Sequence, residues 1–190
     1  MLNKLILKVK RKLGIQIKYK SETSKVRKLV LEYCQGLGCD IGFGGDKVKK
    51  TNCLGIDFEQ PYAYTGLEKV DIPCKIGQER IPLADSYFDY VYTSHLIEDF
   101  LDTKSIIEEF IRVLKSNGNL ILVFPDQVKY ELHCKKTNQP INQYHVHPNM
   151  GFDFMIDVLN TVQSISYELL YQNNCEIDYN VIIVIKIVKK

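Results

Sequence analysis

Nothing in this 190-residue chain approaches the ~20-residue apolar run that spans a bilayer. The N-terminus is basic, but its apolar stretch Leu5-Ile6-Leu7 is broken at once by Lys8. No small-residue cleavage site follows, so a secretory signal peptide is not expected. Glycine and proline are sparse, 11 and 6 residues with no short repeat, which excludes collagen-like and other fibrous chains. The six cysteines (Cys34, Cys39, Cys53, Cys74, Cys134, Cys175) include no C-x-x-C pair. Metal sites and small disulfide frameworks usually show tight or paired spacing, so no metal is expected. The thiols read as reduced, with several packing as small hydrophobes in a cytoplasmic protein. Net charge is only +2, but it is unevenly spread. Residues 1–30 hold ten Lys and Arg against one acid, Glu22; the other 160 hold fifteen basic and twenty-two acidic residues. The sequence is a basic arm on an acidic body. With 45% hydrophobic and 25% charged residues, disorder as the main state is excluded. A chain of this length buries a core without disulfide or metal staples.

The pattern of elements is α/β. Residues 2–13 (LNKLILKVKRKL) fit a short helix with Leu2, Leu5, Ile6, Val9 and Leu13 on one side, and residues 15–20 alternate like a strand or extended linker. Ser24 reads as the N-cap of an amphipathic helix over Lys25–Gln35, with Val26, Leu29, Val30 and Tyr33 inward. Strands are expected at Leu37–Ile41, Cys53–Phe58, Val70–Ile72, Tyr87–Thr93 and Asn119–Phe124, the last a continuous apolar run suited to a buried central parallel strand. Thr103–Lys115 is the clearest helix, and Asn117-Gly118 reads as its left-handed stop. Residues 126–148 read as a polar loop, and Phe152–Thr161 as a helix. Ser164–Tyr171 and Tyr179–Val188 read as a hairpin turning at Asn173-Asn174. Strands alternating with helices imply a mostly parallel sheet with helices on both faces. The domain division expected is a basic arm or helix over 1–24 and one domain over 25–190.

In such sheets ligands bind beyond the C-terminal strand ends, near the point where strand order reverses. The first strand runs into Gly42, Gly44 and Gly45, and Asp57 ends the second, where a carboxylate can accept both hydroxyls of a ribose. Glycine turn plus acid reads as a site for an adenosine-containing cofactor. The dinucleotide fingerprint fails: from Gly42 the pattern is G-F-G-G-D-K, without the last glycine, and DKVKKTN is too short and polar to form the helix that holds a pyrophosphate.

Four segments in order resemble the class I S-adenosylmethionine-dependent methyltransferases, in the small methyltransferase-11-like group. D-I-G-F-G-G (Asp40–Gly45) is similar to their glycine motif, and G-I-D (Gly55–Asp57) to their second-strand acid. Ile81–Asp99 resembles their "LPFPDNSFDVVYSSHVLEH" segment, and Arg112–Pro125 their "RVLKPGGxLxxxxP" segment. The resemblance spans residues 36–126. The sequence departs from it at Phe43, often Cys in the family, and at Asp99, where the family has His.

What the resemblance implies is a Rossmann-like seven-stranded sheet, mostly parallel, with an antiparallel C-terminal hairpin, binding S-adenosyl-L-methionine. The activity implied is in-line methyl transfer to a small-molecule or sugar-like acceptor. It places Asp40, Gly42, Gly44, Asp57 and Ser94 around the cofactor. His95 is the first candidate base, against the reading that it caps or packs on the next helix. The 126–148 segment offers His145 as a second base and Asn142, Tyr144 and His147 as acceptor-binding residues; solvent-facing loop histidines are the alternative. A catalytically inactive relative that keeps the fold as a binding or scaffold module is the competing function. The basic arm reads as a helix docked on the body or, through residues 1–20, as a peripheral membrane contact. Nucleic acid is not expected, because the body is acidic and carries no stacking motif interleaved with Arg. Nothing in the sequence sets the oligomeric state.

Overall fold

The computed structural model describes residues 21–60, 66 and 68–190. The helix expected over 2–13 and the strand or extended linker over 15–20 lie outside the described residues. Helix α1 (Glu22–Val30) leads through a 3-10 turn (Leu31–Tyr33) into β1 (Gly38–Ile41). Then come β2 (Cys53–Asp57), β3 (Ile72–Pro73), β4 (Phe88–Ser94), a 3-10 turn (Ile97–Asp99), α2 (Thr103–Val113) and β5 (Leu114–Pro125). The chain closes with α3 (Gln127–Thr137), α4 (Phe152–Asn160), β6 (Ile165–Ile177) and β7 (Asn180–Lys189). One sheet of seven strands runs in the order β3-β2-β1-β4-β5-β7-β6. Strands β3 to β5 are parallel, and β7 is antiparallel to both β5 and β6. Strand order reverses between β1 and β4, so the switch point lies where the sequence puts its glycine turn.

Two cores flank the sheet, and strand alternation divides them. On β5, Leu120, Leu122 and Phe124 join one core and Ile121 and Val123 the other; on β7, Val181, Ile183, Ile185 and Ile187 alternate with Ile182 and Val184. Both faces are covered, which is why these strands read as unbroken apolar runs. One core takes Ile106, Ile107, Phe110, Ile111 and Val113 from α2 with Met155 and Leu159 from α4. The other takes Val26 and Val30 from α1, with Leu29 and Tyr33 packed against it.

Four local expectations are corrected. Helix α1 starts at Glu22, because Ser21 rather than Ser24 is the N-cap: Ser21 Oγ accepts the Ser24 N–H, and the Ser24 hydroxyl is spent donating to the Ser21 carbonyl. Helix α2 ends at Val113, and the chain passes directly into β5; Asn117 does take a left-handed φ of 66°, but inside the strand, next to the register shift between β4 and β5. Residues 127–137 of the expected loop form α3. Its caps are strong, with Asp126 accepting the Lys129 N–H and Asn138 in the left-handed region. Its residues are good helix formers without one continuous apolar stripe, so periodicity alone misses it. The hairpin turns at Asp178-Tyr179, not at Asn173-Asn174. Asn173 is buried, and its side chain binds the Glu176 N–H and carboxylate within a bulged β6.

Candidate functional site at the C-terminal strand ends

Asp57 closes β2 with its carboxylate under the glycine turn. One oxygen accepts the Gly44 N–H (3.0 Å) and the other the Phe58 N–H (2.7 Å). Each oxygen keeps a lone pair for a further donor. Burial pushes its pKa up from the ordinary carboxylate value, against the opposing pull of those two N–H groups. Gly42 (φ 70°), Gly44 (55°) and Gly45 (81°) all stand in the left-handed region that side chains rarely adopt, and a Cβ on Gly42 would meet Leu96 at 2.8 Å. The Gly66 and Glu68 N–H groups donate to the carbonyls of Gly44 and Gly45. Phe43 is buried, and its ring fills the space that a Cβ on Gly55 would need.

No helix follows the glycine turn; ion pairs and hydrogen bonds hold the loop instead. Arg27 of α1 binds the Val48 carbonyl through Nε, and the Asp46 carboxylate (2.7 Å) and Lys47 carbonyl through Nη2. Ser21 also donates to Asp46. Lys47 reaches Asp71, whose carboxylate also accepts the Gly55 N–H. Asp40 is fully buried. One oxygen accepts the Val48 N–H at 2.7 Å, while the other has no hydrogen-bond partner. Burial holds its pKa well above the usual carboxylate range.

A cleft of about 420 Å³ opens beside Asp57, lined by Phe58, Glu59, Pro73, Cys74, Lys75, Gln78 and Glu79. Ile76 is buried, and Ile72 is half-buried in β3. A larger cleft of about 560 Å³ lies around Leu159–Gln163, Ile165 and Lys190. Ile165 begins β6 and pairs with Lys189 at the end of β7, so this cleft is at the opposite edge of the sheet.

At the other side of the switch point, β4 ends in Ser94, its hydroxyl buried, and His95, in the left-handed region at φ 53°. His95 Nε2 lies 2.6 Å from Asn180 Oδ1, and its Nδ1 lies 3.4 Å from Glu98 Oε1. The Asn180 amide donates to Glu22 and to the Ile177 carbonyl, so its oxygen accepts and His95 Nε2 carries a proton. The same Glu98 oxygen is 3.7 Å from His145 Nε2, and His145 Nδ1 donates to Gln127 Oε1 at 2.8 Å. Both expected bases thus meet on one carboxylate. Burial lowers the His95 pKa, but Glu98 and Glu22 outweigh it and the net shift is upward. For His145, burial prevails and the shift is downward. Rings of Tyr130 and Tyr179 pack beside these groups, and the Tyr179 hydroxyl donates to Glu22.

The remaining expected residues divide. Asn142 sits near the cluster, its N–H on the Tyr130 hydroxyl, and its side chain accepts the Tyr144 N–H. Tyr144 is exposed. His147 turns away to Thr103 and the Phe100 carbonyl, with its ring against Phe154, so His145 and His147 do not share partners. Sequence reasoning missed Glu98, Gln127, Tyr130, Tyr179 and Asn180, and also Glu22. Glu22 did leave a signal, as the only acid among the first 30 residues.

The chain matches the methyltransferase domain family over residues 32–122, which covers the glycine turn, Asp57, His95 and Glu98. That segment, just under half of the chain, is similar to the S-adenosylmethionine-dependent methyltransferases. An uncharacterized protein of Methanocaldococcus jannaschii is 32% identical over 115 residues, 59% of this chain and 54% of that one. The chain thus spans about half the length of that relative. Two solved structures share the fold of this methyltransferase domain. A SAM-dependent methyltransferase of Archaeoglobus fulgidus has a TM-score of 0.62 at 12% identity, covering 86% of this chain and 92% of that one. One of Thermotoga maritima has a TM-score of 0.62 at 18% identity, covering 90% of each chain. At such identities the likeness is one of architecture.

The cofactor of this family is S-adenosyl-L-methionine. The residues present fit it: a carboxylate with spare lone pairs, a turn of three left-handed glycines, the cleft beyond Asp57, and a buried, unpartnered oxygen on Asp40 below the turn. Among the described residues no group of three or more His, Cys, Asp or Glu could hold a metal ion, and no helix is long and apolar enough to cross a membrane.

Proposed function

We propose that this domain transfers a methyl group from S-adenosyl-L-methionine to a small-molecule acceptor at the C-terminal edge of β4. The observation that carries the reading is the Gly44–Asp57 bond beside the switch point, with the two histidines placed just across it. When bound, the cofactor supplies an electrophilic methyl on a sulfonium. Asp57 would accept the ribose hydroxyls, Gly42 and Gly44 would let the chain approach the ligand closely, and the cleft from Phe58 to Glu79 would take the base. Asp40 would hold the turn from below by fixing the Val48 N–H, and Ser94 would border the methionine end. Positioning of donor and acceptor supplies most of the rate in such a displacement. His145 is the base of this reading and His95 the charged group beside it, and Asn142 and Tyr144 border the acceptor. A small acceptor is favoured because the described residues form one sheet and its covering helices, with no added module.

The test is formation of S-adenosylhomocysteine, followed by mass spectrometry, with panels of small amines, phenols and sugars. Turnover with one class, lost on cofactor omission, supports the proposal. Cofactor binding with no turnover across the panels favours a scaffold, and His95→Gln and His145→Gln variants as active as wild type remove these residues from the mechanism.

A further inference from the structure

We infer that Glu98 is a positioning residue for the acceptor end: one of its oxygens faces both His95 and His145, pairs with His95, and so gives the two imidazoles different proton-transfer roles. This rests on the methyltransferase reading above. Glu98 is 2% exposed, and its Oε1 faces His95 Nδ1 at 3.4 Å and His145 Nε2 at 3.7 Å. Its second oxygen is buried without a hydrogen-bond partner. A carboxylate buried at such cost needs a compensating charge, and His95, facing it through Nδ1, supplies it. The backbone is pinned as well, since the Val146 N–H donates to the Glu98 carbonyl and the His95 N–H to the Val123 carbonyl.

The surroundings make the two histidines unequal. His95 donates through Nε2 to Asn180 and faces two carboxylates, Glu98 and, at 3.8 Å, Glu22. Lys25, paired with Glu22 and Asp178, stands one shell further out. Tyr179 packs its ring on His95, and His133 packs on Tyr179. His95 is thereby the charged partner of Glu98. His145 faces one carboxylate, is boxed in by Tyr130, and spends its Nδ1 proton on Gln127, so Nε2 keeps its lone pair. In the proposed step an acceptor hydroxyl or ammonium loses its proton to His145 Nε2. An N–H bond forms, the electron pair of the broken bond stays on the acceptor atom, and Glu98 faces the new imidazolium.

The assay is histidine-ring NMR through a pH titration of the full chain without cofactor, with His95→Gln and His145→Gln assigning the signals. In the wild type His95 is expected to titrate above the ordinary 6.5 and His145 below it. In Glu98→Gln the His95 midpoint is expected to fall by about one pH unit or more, and Glu98→Asp to restore part of it. The reverse titration order in the wild type, or a folded Glu98→Gln with an unmoved His95 midpoint, overturns the proposal. Because the wild-type titration needs no variant, a Glu98→Gln that fails to fold still leaves a decision. Failure of the domain to bind S-adenosylhomocysteine would instead count against the methyltransferase reading, and is measured separately.

Discussion

Asp57→Ala is the perturbation that the geometry constrains most. The wild-type carboxylate accepts the Gly44 and Phe58 N–H groups and has one lone pair per oxygen left for the ribose hydroxyls. A hydrogen bond to a charged group contributes ~1.5–3 kcal/mol, so losing two costs about 3 kcal/mol or more, roughly a 100-fold or greater rise in Kd. Alanine also leaves the Gly44 N–H without its acceptor, which loosens the turn. Asp57→Asn separates the two effects: it keeps the shape but must turn its NH2 toward Gly44 or Phe58, both donors, and should weaken binding by roughly tenfold. Isothermal titration with S-adenosylhomocysteine measures both, with circular dichroism checking the fold. Because burial raises the Asp57 pKa, affinity should begin to fall, as pH is lowered, above the ordinary 3.8. An Asp57→Ala protein that stays folded and binds within threefold of wild type would refute the placement of the ribose.

Other expectations are more local. The folded pKa of Asp40 lies well above 3.8, so its ionisation weakens the fold: the penalty is absent below pH 3.8 and grows as pH rises toward the folded value. Asp40→Asn should therefore raise Tm at pH 7 by about 2–4 °C per kcal/mol recovered, with the gain shrinking toward pH 4 in thermal melts. Arg27→Met removes three bonds to the 46–48 loop and should cost about 1–2 kcal/mol in urea unfolding, while weakening cofactor affinity. Phe110→Ala, at the centre of the α2–sheet core, should cost about 3–5 kcal/mol in the same assay. Deleting residues 1–20 should leave S-adenosylhomocysteine affinity unchanged. A deletion reaching Lys25 removes the Ser21 cap and Glu22 and should lower Tm.

Where physical signals were local, the chain could be read directly. The apolar runs of β5 and β7, the wide apolar face of α2, and the glycine turn with Asp57 all encode themselves within a few residues. Helix α3 was not legible because its stability lies in its two caps, not in a stripe. The hairpin turn was misplaced because Asn173 and Asn174 are good turn residues that here serve a bulge. The site divides in the same way. Asp57 and His95 became candidates from motifs, and His145 from its place in a long connection. The groups that give them their properties come from distant segments: Glu22 lies 73 residues before His95, and Asn180 85 residues after it. Only the sheet topology brings β4 and β7 together around β5, so no local pattern announces that meeting.

The most direct measurement is a crystal structure of the full chain grown with S-adenosylhomocysteine. The expected complex has both ribose hydroxyls on Asp57, the adenine in the cleft between Phe58 and Lys75, and the homocysteine sulfur on the side of Ser94 and His95. A nucleoside bound at the opposite edge, near Leu159 and Lys190, or no binding at millimolar ligand, would contradict it.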